Sequence, residues 1–302
     1  MELWIPITIF AAFAQNLRFM LQKHLKATRL STGGATFSRF VFAAPLAVLL
    51  VIGLTGTGFR QLPEINLSFA GFAMLGGVAQ ILATMLVVAL FAERNFTVGV
   101  TLKKTEVMQT AILSVIILGE EIATIGIFAI AVGLVGVVLL SDPPKGDVAL
   151  SWRARLFNKA SGYGLASGAL FGVSAIGYRG ASLALMDGDF IIRAALTLAF
   201  VTVFQTLLMM VWLYFREIGQ ITAVLKSWKV TAWVGLTGML GSLGWFMAFT
   251  LQNAAYVKAL GQIELVFTFL ASWLVFKEVS SSREIAGILL VVTSILLLIL
   301  LL

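Results

Sequence analysis

Long apolar runs alternate with short polar breaks along this chain. A helix needs about 20 mainly apolar residues to cross the hydrocarbon core of a bilayer. Runs of that length fall at 3–22, 32–54, 68–91, 96–118, 122–140, 160–180, 189–215, 230–251, 256–276 and 284–302. Lipid offers no partner for a backbone N–H or C=O, so each run must be a helix or a barrel strand. The runs are too long and too evenly apolar for strands of alternating polarity. The pattern predicts an all-α integral membrane protein with ten transmembrane helices.

The connections are short except at Ser141–Lys159, SDPPKGDVALSWRARLFNK, where Pro143 and Pro144 stop the preceding helix and charged residues follow. The predicted organisation is therefore a five-helix unit over 1–141, a polar linker over 142–159 and a second five-helix unit over 160–302. The two units resemble each other. At an offset of 158, residues 95–120 align with 253–278 without a gap. The identical pairs are Asn95/Asn253, Leu102/Leu260, Glu106/Glu264, Thr110/Thr268, Ser114/Ser272 and Glu120/Glu278. Nearly all are polar in a chain that is mostly apolar, which argues against coincidence. Gly34/Gly188 and Arg39/Arg193 match at an offset of 154. With five spans per unit, the second unit enters the membrane from the opposite side. Inverted repeats of this kind recur in secondary transporters, with the substrate site near the midplane between them.

Composition agrees with the membrane reading. The chain has 302 residues, 60% hydrophobic and 12% charged, against roughly 25% charged in soluble domains. There is no cysteine and one histidine. That excludes thiolate chemistry and a His-cluster metal site, so no metal and no cofactor is implied. An enzyme reading lacks both a nucleophile–base set and closely spaced carboxylates. The net charge of +7 resides in short loops and shows no basic stripe interleaved with aromatics, so nucleic acid is not an expected partner. Lys23, Lys26, Arg29, Arg94, Lys145, Arg153, Arg155, Lys159, Arg216, Lys226, Lys229, Lys277 and Arg283 all fall in loops on one side. Arg60 and several acidic residues fall on the other. The positive-inside rule assigns the basic side to the cytoplasm and both termini to the opposite side. Only Met1 and Glu2 precede the first apolar run, so the basic region of a signal peptide is missing and Leu3 onward is expected to be a retained span.

Intramembrane polar residues are costly and face a cavity or a partner. Glu106, Thr110 and Ser114 recur at i+4 steps on one helix face, and Glu264, Thr268 and Ser272 repeat the stripe. Two readings fit: the stripes line a shared polar cavity, or each glutamate ties helices together, with Lys103 three residues before Glu106 as a partner. Lys103 and Lys104 either attract a substrate carboxylate or extend toward the nearer surface. Gln15, Asn16, Gln80, Trp245, Tyr256, Lys258 and Gln262 complete the candidate lining. Trp245 and Phe246 offer a stacking wall for an aromatic substrate. Arg18 with Arg39, and Arg179 with Arg193, form matching pairs near span ends and read as gate or helix-end ties, with Asp187 and Asp189 as partners for the second pair. Glycine stripes, Gly164–Gly168–Gly172 and Gly235–Gly238–Gly241–Gly244, read as close-packing faces.

The segments LGEEIATIGIFAIAVGLVGVVLLS at 118–141 and FKEVSSSREIAGILLVVTSILLLI at 276–299 resemble the end of an EamA repeat. SRFVFAAPLAVLL at 38–50 resembles that family's second helix, and IRAALTLAF at 192–200 is its weaker copy, with Ala194 in place of an aromatic. The resemblance covers essentially the whole chain as two repeats and points to the drug/metabolite transporter superfamily. Within it the chain is most similar to exporters of aromatic amino acids. That resemblance implies export of amino acids or related metabolites across a bacterial inner (plasma) membrane. It leaves sugar-phosphate or drug cargo as an alternative and oligomeric state open. A passive channel is the reading from a different class.

Overall fold

The computed structural model describes residues 2–28, 30–56, 58, 60–90, 102–140, 159–267 and 282–301. Among these residues the structure is helical, with no strand. The helices are α1 (Trp4–Thr28), α2 (Thr32–Gly56), α3 (Leu67–Leu90), α4 (Glu106–Leu118), α5 (Thr124–Leu140), α6 (Lys159–Ala184), α7 (Phe190–Arg216), α8 (Gln220–Lys226), α9 (Trp228–Leu251), α10 (Ala254–Leu260) and α11 (Ser282–Leu301). Five of them, α1 over Trp4–Gln22, α2, α3, α7 and α9, are long and apolar enough to cross a membrane. The shorter α4, α5 and α11 are also apolar. The linker expected at 142–159 lies outside the described residues except for Lys159, which opens α6. The outer surface carries large apolar side chains such as Phe13, Ile116 and Phe215, as a lipid-facing surface requires.

Helix pairing follows the repeat. α3 packs along α6, and α1 packs along α9; α2 lies against α7, α5 against α11, and α4 against α10. Exchanging α1–α5 with α6, α7, α9, α10 and α11 maps this set of pairs onto itself. In lipid, helices associate through close approach rather than through hydrophobic burial, so small residues mark the contacts. A Cβ on Gly177 of α6 would come 2.7 Å from Gly76 Cα on α3. One on Gly136 of α5 would come 2.7 Å from the Gly287 carbonyl of α11, and one on Gly244 of α9 would come 2.9 Å from Ala11 Cβ of α1.

Two of the runs differ from the continuous spans expected at 96–118 and 256–276. Helical residues 102–103 are followed by a turn at 104–105 before α4, and α10 is followed by a turn at 261–262 before helical residues 263–267. The first turn ends next to Glu106, and the second ends two residues before Glu264. At the first, the Thr105 N–H and Oγ1 both donate to the Leu102 carbonyl, at 3.2 and 2.6 Å. The side chain thus competes for the helical acceptor. At the second, Gln262 N–H reaches the Ala259 carbonyl and Leu265 N–H the Gln262 carbonyl, a tighter i to i+3 pattern. Glycine at 261 also lets the Trp245 ring approach, since a Cβ there would sit 2.5 Å from it.

On the face carrying Arg60, the halves are tied at their edges. Asp189 caps α7, accepting from the N–H groups of Ile191 and Ile192 at 3.1 and 3.0 Å, and Arg60 Nε donates to it at 2.8 Å. Desolvation raises this carboxyl, but the N–H groups of Ile192 and Ile191 and the Arg60 guanidinium together outweigh it and hold the group below its ordinary range. On the opposite face Ser31 hydrogen-bonds Glu217 and takes Gln220 Oε1 on its N–H at 3.0 Å.

Candidate functional site

The two broken helices meet at the centre of the molecule, and their charges cross between the halves. Glu106, at the first residue of α4, is ion-paired with Lys258 of α10 at 2.5 Å and with Lys103 at 3.3 Å. Glu264 is ion-paired with Lys104. Each repeated carboxylate therefore takes a cation from the other half. Lys103, Lys104 and Glu106 are all buried, so neither lysine extends to the surface. Lys258 also sits over aromatic faces, 4.8 Å from the Trp245 ring centroid, 5.7 Å from Phe249 and 5.8 Å from Phe171. Lys103 faces Phe171 at 5.0 Å and Phe19 at 5.8 Å. These rings partly replace the water an ammonium loses on burial.

Beside Lys258 lies a cavity of about 20 Å³, bordered by Gln15, Gln80, Tyr178, Ser242, Trp245 and Lys258 with Phe171, Phe246 and Phe249 around it. That is room for roughly one water molecule. Tyr178 Oη donates to Gln80 Oε1 at 2.9 Å, and Gln205 Nε2 donates to the same oxygen at 3.0 Å and to the Gly77 carbonyl at 3.0 Å. Trp245 stacks on Phe249 at 5.8 Å. Its indole N–H is buried with no acceptor among the described residues.

Of the residues singled out from the sequence, Gln15, Gln80, Trp245 and Lys258 border this cavity. Asn16 is half-buried on α1, outside the described lining. Thr110 donates to the Glu106 carbonyl of its own helix at 2.7 Å. Tyr256 Oη accepts the Ala123 N–H at 2.9 Å and so anchors the start of α5. Gln262 lies with Lys104 beside a separate small void. Thr268 lies outside the described residues. Tyr178, Gln205, Phe171 and Ser242 are additions. Tyr178 and Phe171 stand out only as two of the three aromatic residues in the glycine-rich α6.

The arginines take different partners at the two ends. Arg179 is ion-paired with Glu120 and donates to the carbonyls of Phe249 and Gln252 at 2.5 and 2.6 Å, closing the end of α9. Glu120 is turned back toward Arg179 by Gly119, whose φ of +65° ends α4 in the left-handed conformation. Arg193 donates to the Ser182 carbonyl at 2.8 Å. The aspartates expected to pair with these arginines do otherwise: Asp189 binds Arg60, and Asp187 is exposed. Arg39 donates to Ser242 Oγ at 2.9 Å and to Thr84 Oγ1 at 3.4 Å. Arg18 donates to Gln22 Oε1 at 3.0 Å and lies 4.1 Å from the Phe19 ring centroid. Its Nη2 is buried with no partner among the described residues.

A solved structure titled as the crystal structure of a protein is 11% identical, with a TM-score of 0.67, over 97% of this chain and 96% of that one. The likeness establishes a shared fold. No curated protein sequence matches the chain. The EamA-like transporter family matches residues 2–142 and 162–300, one match on each repeat. Two matches that together span nearly the whole sequence, on a helical chain with an apolar exterior, make this a multi-pass membrane protein that belongs to the EamA-like transporter family.

Proposed function

We propose that the protein is a secondary transporter that exports small metabolites, amino acids including aromatic ones among them, from a bacterial cytoplasm. In this reading ten spans form two inverted five-helix repeats, and alternating access proceeds through the cavity between them. One observation carries it: two repeat-related helices, each broken before a glutamate, meet and exchange ion pairs between the halves. Broken helices at a repeat interface are where such carriers bind cargo. Aromatic rings around the cavity suit an aromatic side chain. A cavity of about 20 Å³ is smaller than any amino acid, which fits an occluded resting state. Arg179 with Glu120 then serves as the gate on the side away from the basic loops, and Arg18 with Arg39 marks the equivalent place on the cytoplasmic side.

Counterflow in proteoliposomes against a panel of labelled amino acids tests the cargo. Uptake of at least the aromatic members is expected, and uniform failure removes the amino-acid reading. Discrete single-channel currents in a planar bilayer would favour the passive-channel alternative. In this reading both termini lie outside the cytoplasm, so an alkaline-phosphatase fusion at the C-terminus is expected to be active, and an inactive one overturns the orientation.

A further inference from the structure

The described residues in and beside the cavity are not balanced in charge. Arg18, Arg39, Lys103 and Lys258 are cationic, while Glu106 supplies a carboxylate; Lys104, paired with Glu264, borders the separate void. Arg39 reaches the cavity wall through Ser242, and its described hydrogen-bond partners are both hydroxyls. Arg18 lies alongside it: a Cβ on Gly238 would sit 3.0 Å from Arg39 Cγ and 3.3 Å from Arg18 Cδ. Burial of uncompensated cations is expensive, and the cost falls when an anion enters.

A second observation points to where that anion goes. The Trp245 indole can only donate, and its N–H is buried with no acceptor among the described residues. Lys258 lies 4.8 Å from the same ring. Both residues border the cavity. An unpaired donor beside an ammonium calls for an acceptor that carries negative charge.

We infer that the cavity binds the carboxylate of its substrate between the Trp245 indole N–H and the Lys258 ammonium, and that the substrate's amino group is dispensable. This rests on the transport reading and narrows its cargo to carboxylates with an apolar or aromatic body. Phe171, Phe246 and Phe249 receive that body. On entry the carboxylate shares Lys258 with Glu106, which keeps Lys103 as its second partner.

The test compares phenylalanine, 3-phenylpropanoate and phenethylamine as ligands of the purified full chain in detergent, read as a shift in thermal unfolding. The two carboxylates are expected to raise the transition temperature and the amine to leave it unchanged. Trp245→Phe keeps the ring and removes the donor. It should weaken carboxylate binding by roughly tenfold, the size of one lost hydrogen bond to a charged group. Lys258→Met should abolish the shift. If that variant does not fold, Trp245→Phe and the charge-retaining Lys258→Arg carry the test, the first weakened and the second still responsive. A shift from phenethylamine equal to that from 3-phenylpropanoate overturns the inference. So does no shift from 3-phenylpropanoate, or carboxylate binding unaltered in Trp245→Phe. Binding of 3-phenylpropanoate without counterflow of any amino acid upholds the carboxylate site and rejects the amino-acid cargo.

Discussion

Lys258 Nζ lies 2.5 Å from Glu106 Oε1, a bond between residues in opposite halves of the chain. Glu106 also holds Lys103, so neutralising it strands two buried ammonium groups. Glu106→Gln is expected to destabilise the fold by about 3–5 kcal/mol, the usual cost of removing one partner of a buried pair. Glu264→Gln should cost less, because the Glu264 side chain is 17% exposed against 8% for Glu106. Thermal unfolding in detergent checks the order. The double exchange Glu106→Lys with Lys258→Glu should recover part of the loss, as coupled neighbours do.

In the transport reading, the ion pair of Arg179 with Glu120 is the gate on the side away from the basic loops. Glu120→Gln weakens that closure and should raise the population open on this side. The chain has no cysteine, so a single cysteine at the buried Ser182 reports directly. Its labelling by a membrane-impermeant maleimide should accelerate several-fold with Glu120→Gln in place. Unchanged labelling would show that the pair only braces the helix end.

Close approach of α3 and α6 depends on glycine at both sides of the contact. Gly177→Ala would drive a methyl group into the backbone at Gly76, 2.7 Å away. The expected cost is about 1–3 kcal/mol, as for overpacking elsewhere. Gly71→Ala, on the same helix as Gly76, meets nothing within 4 Å and should be neutral or slightly stabilising. Side-by-side melting of the two variants separates packing from helix propensity.

The Asp189 cap gives a pH dependence of known sign. Its carboxyl titrates lower in the fold than in the unfolded chain. The stabilisation is therefore fully present above the ordinary carboxylate range and is lost as pH falls through the lowered folded value. Asp189→Ala should cost about 1 kcal/mol at neutral pH through loss of the cap. The exposed pair with Arg60 adds little. Melting temperatures of parent and variant should converge in acid, and a constant gap would exclude ionisation as the source.

The helical class and the apolar runs were legible because lipid leaves few alternatives for twenty apolar residues in a row. The carboxylate repeat was legible because Glu106 and Glu264 stand out in apolar surroundings. Spacing placed Glu106, Thr110 and Ser114 on one face. It said nothing of what lies opposite, and the three have unrelated roles: an ion pair across the halves, a bond to the helix's own backbone, and contacts with Glu120 and Asn253. The turns before the two glutamates were hidden, since a Thr hydroxyl competing for a carbonyl and a local shift to i to i+3 bonding leave no trace in hydropathy. Tyr178 and Gln205 were missed because their bond exists only once α6 and α7 are packed on α3.

The crossed pairs also bear on how two copies of one segment drift apart. At the offset that aligns Glu106 with Glu264, Lys104 aligns with Gln262 and Lys258 with Val100. The two lysines thus occupy different registers, four positions apart in the aligned repeats. Each still meets the opposing carboxylate. The acid holds the same position in both copies, and the base does not. What such a seam requires is a cation facing each carboxylate, and that requirement does not fix where in its own copy the cation stands.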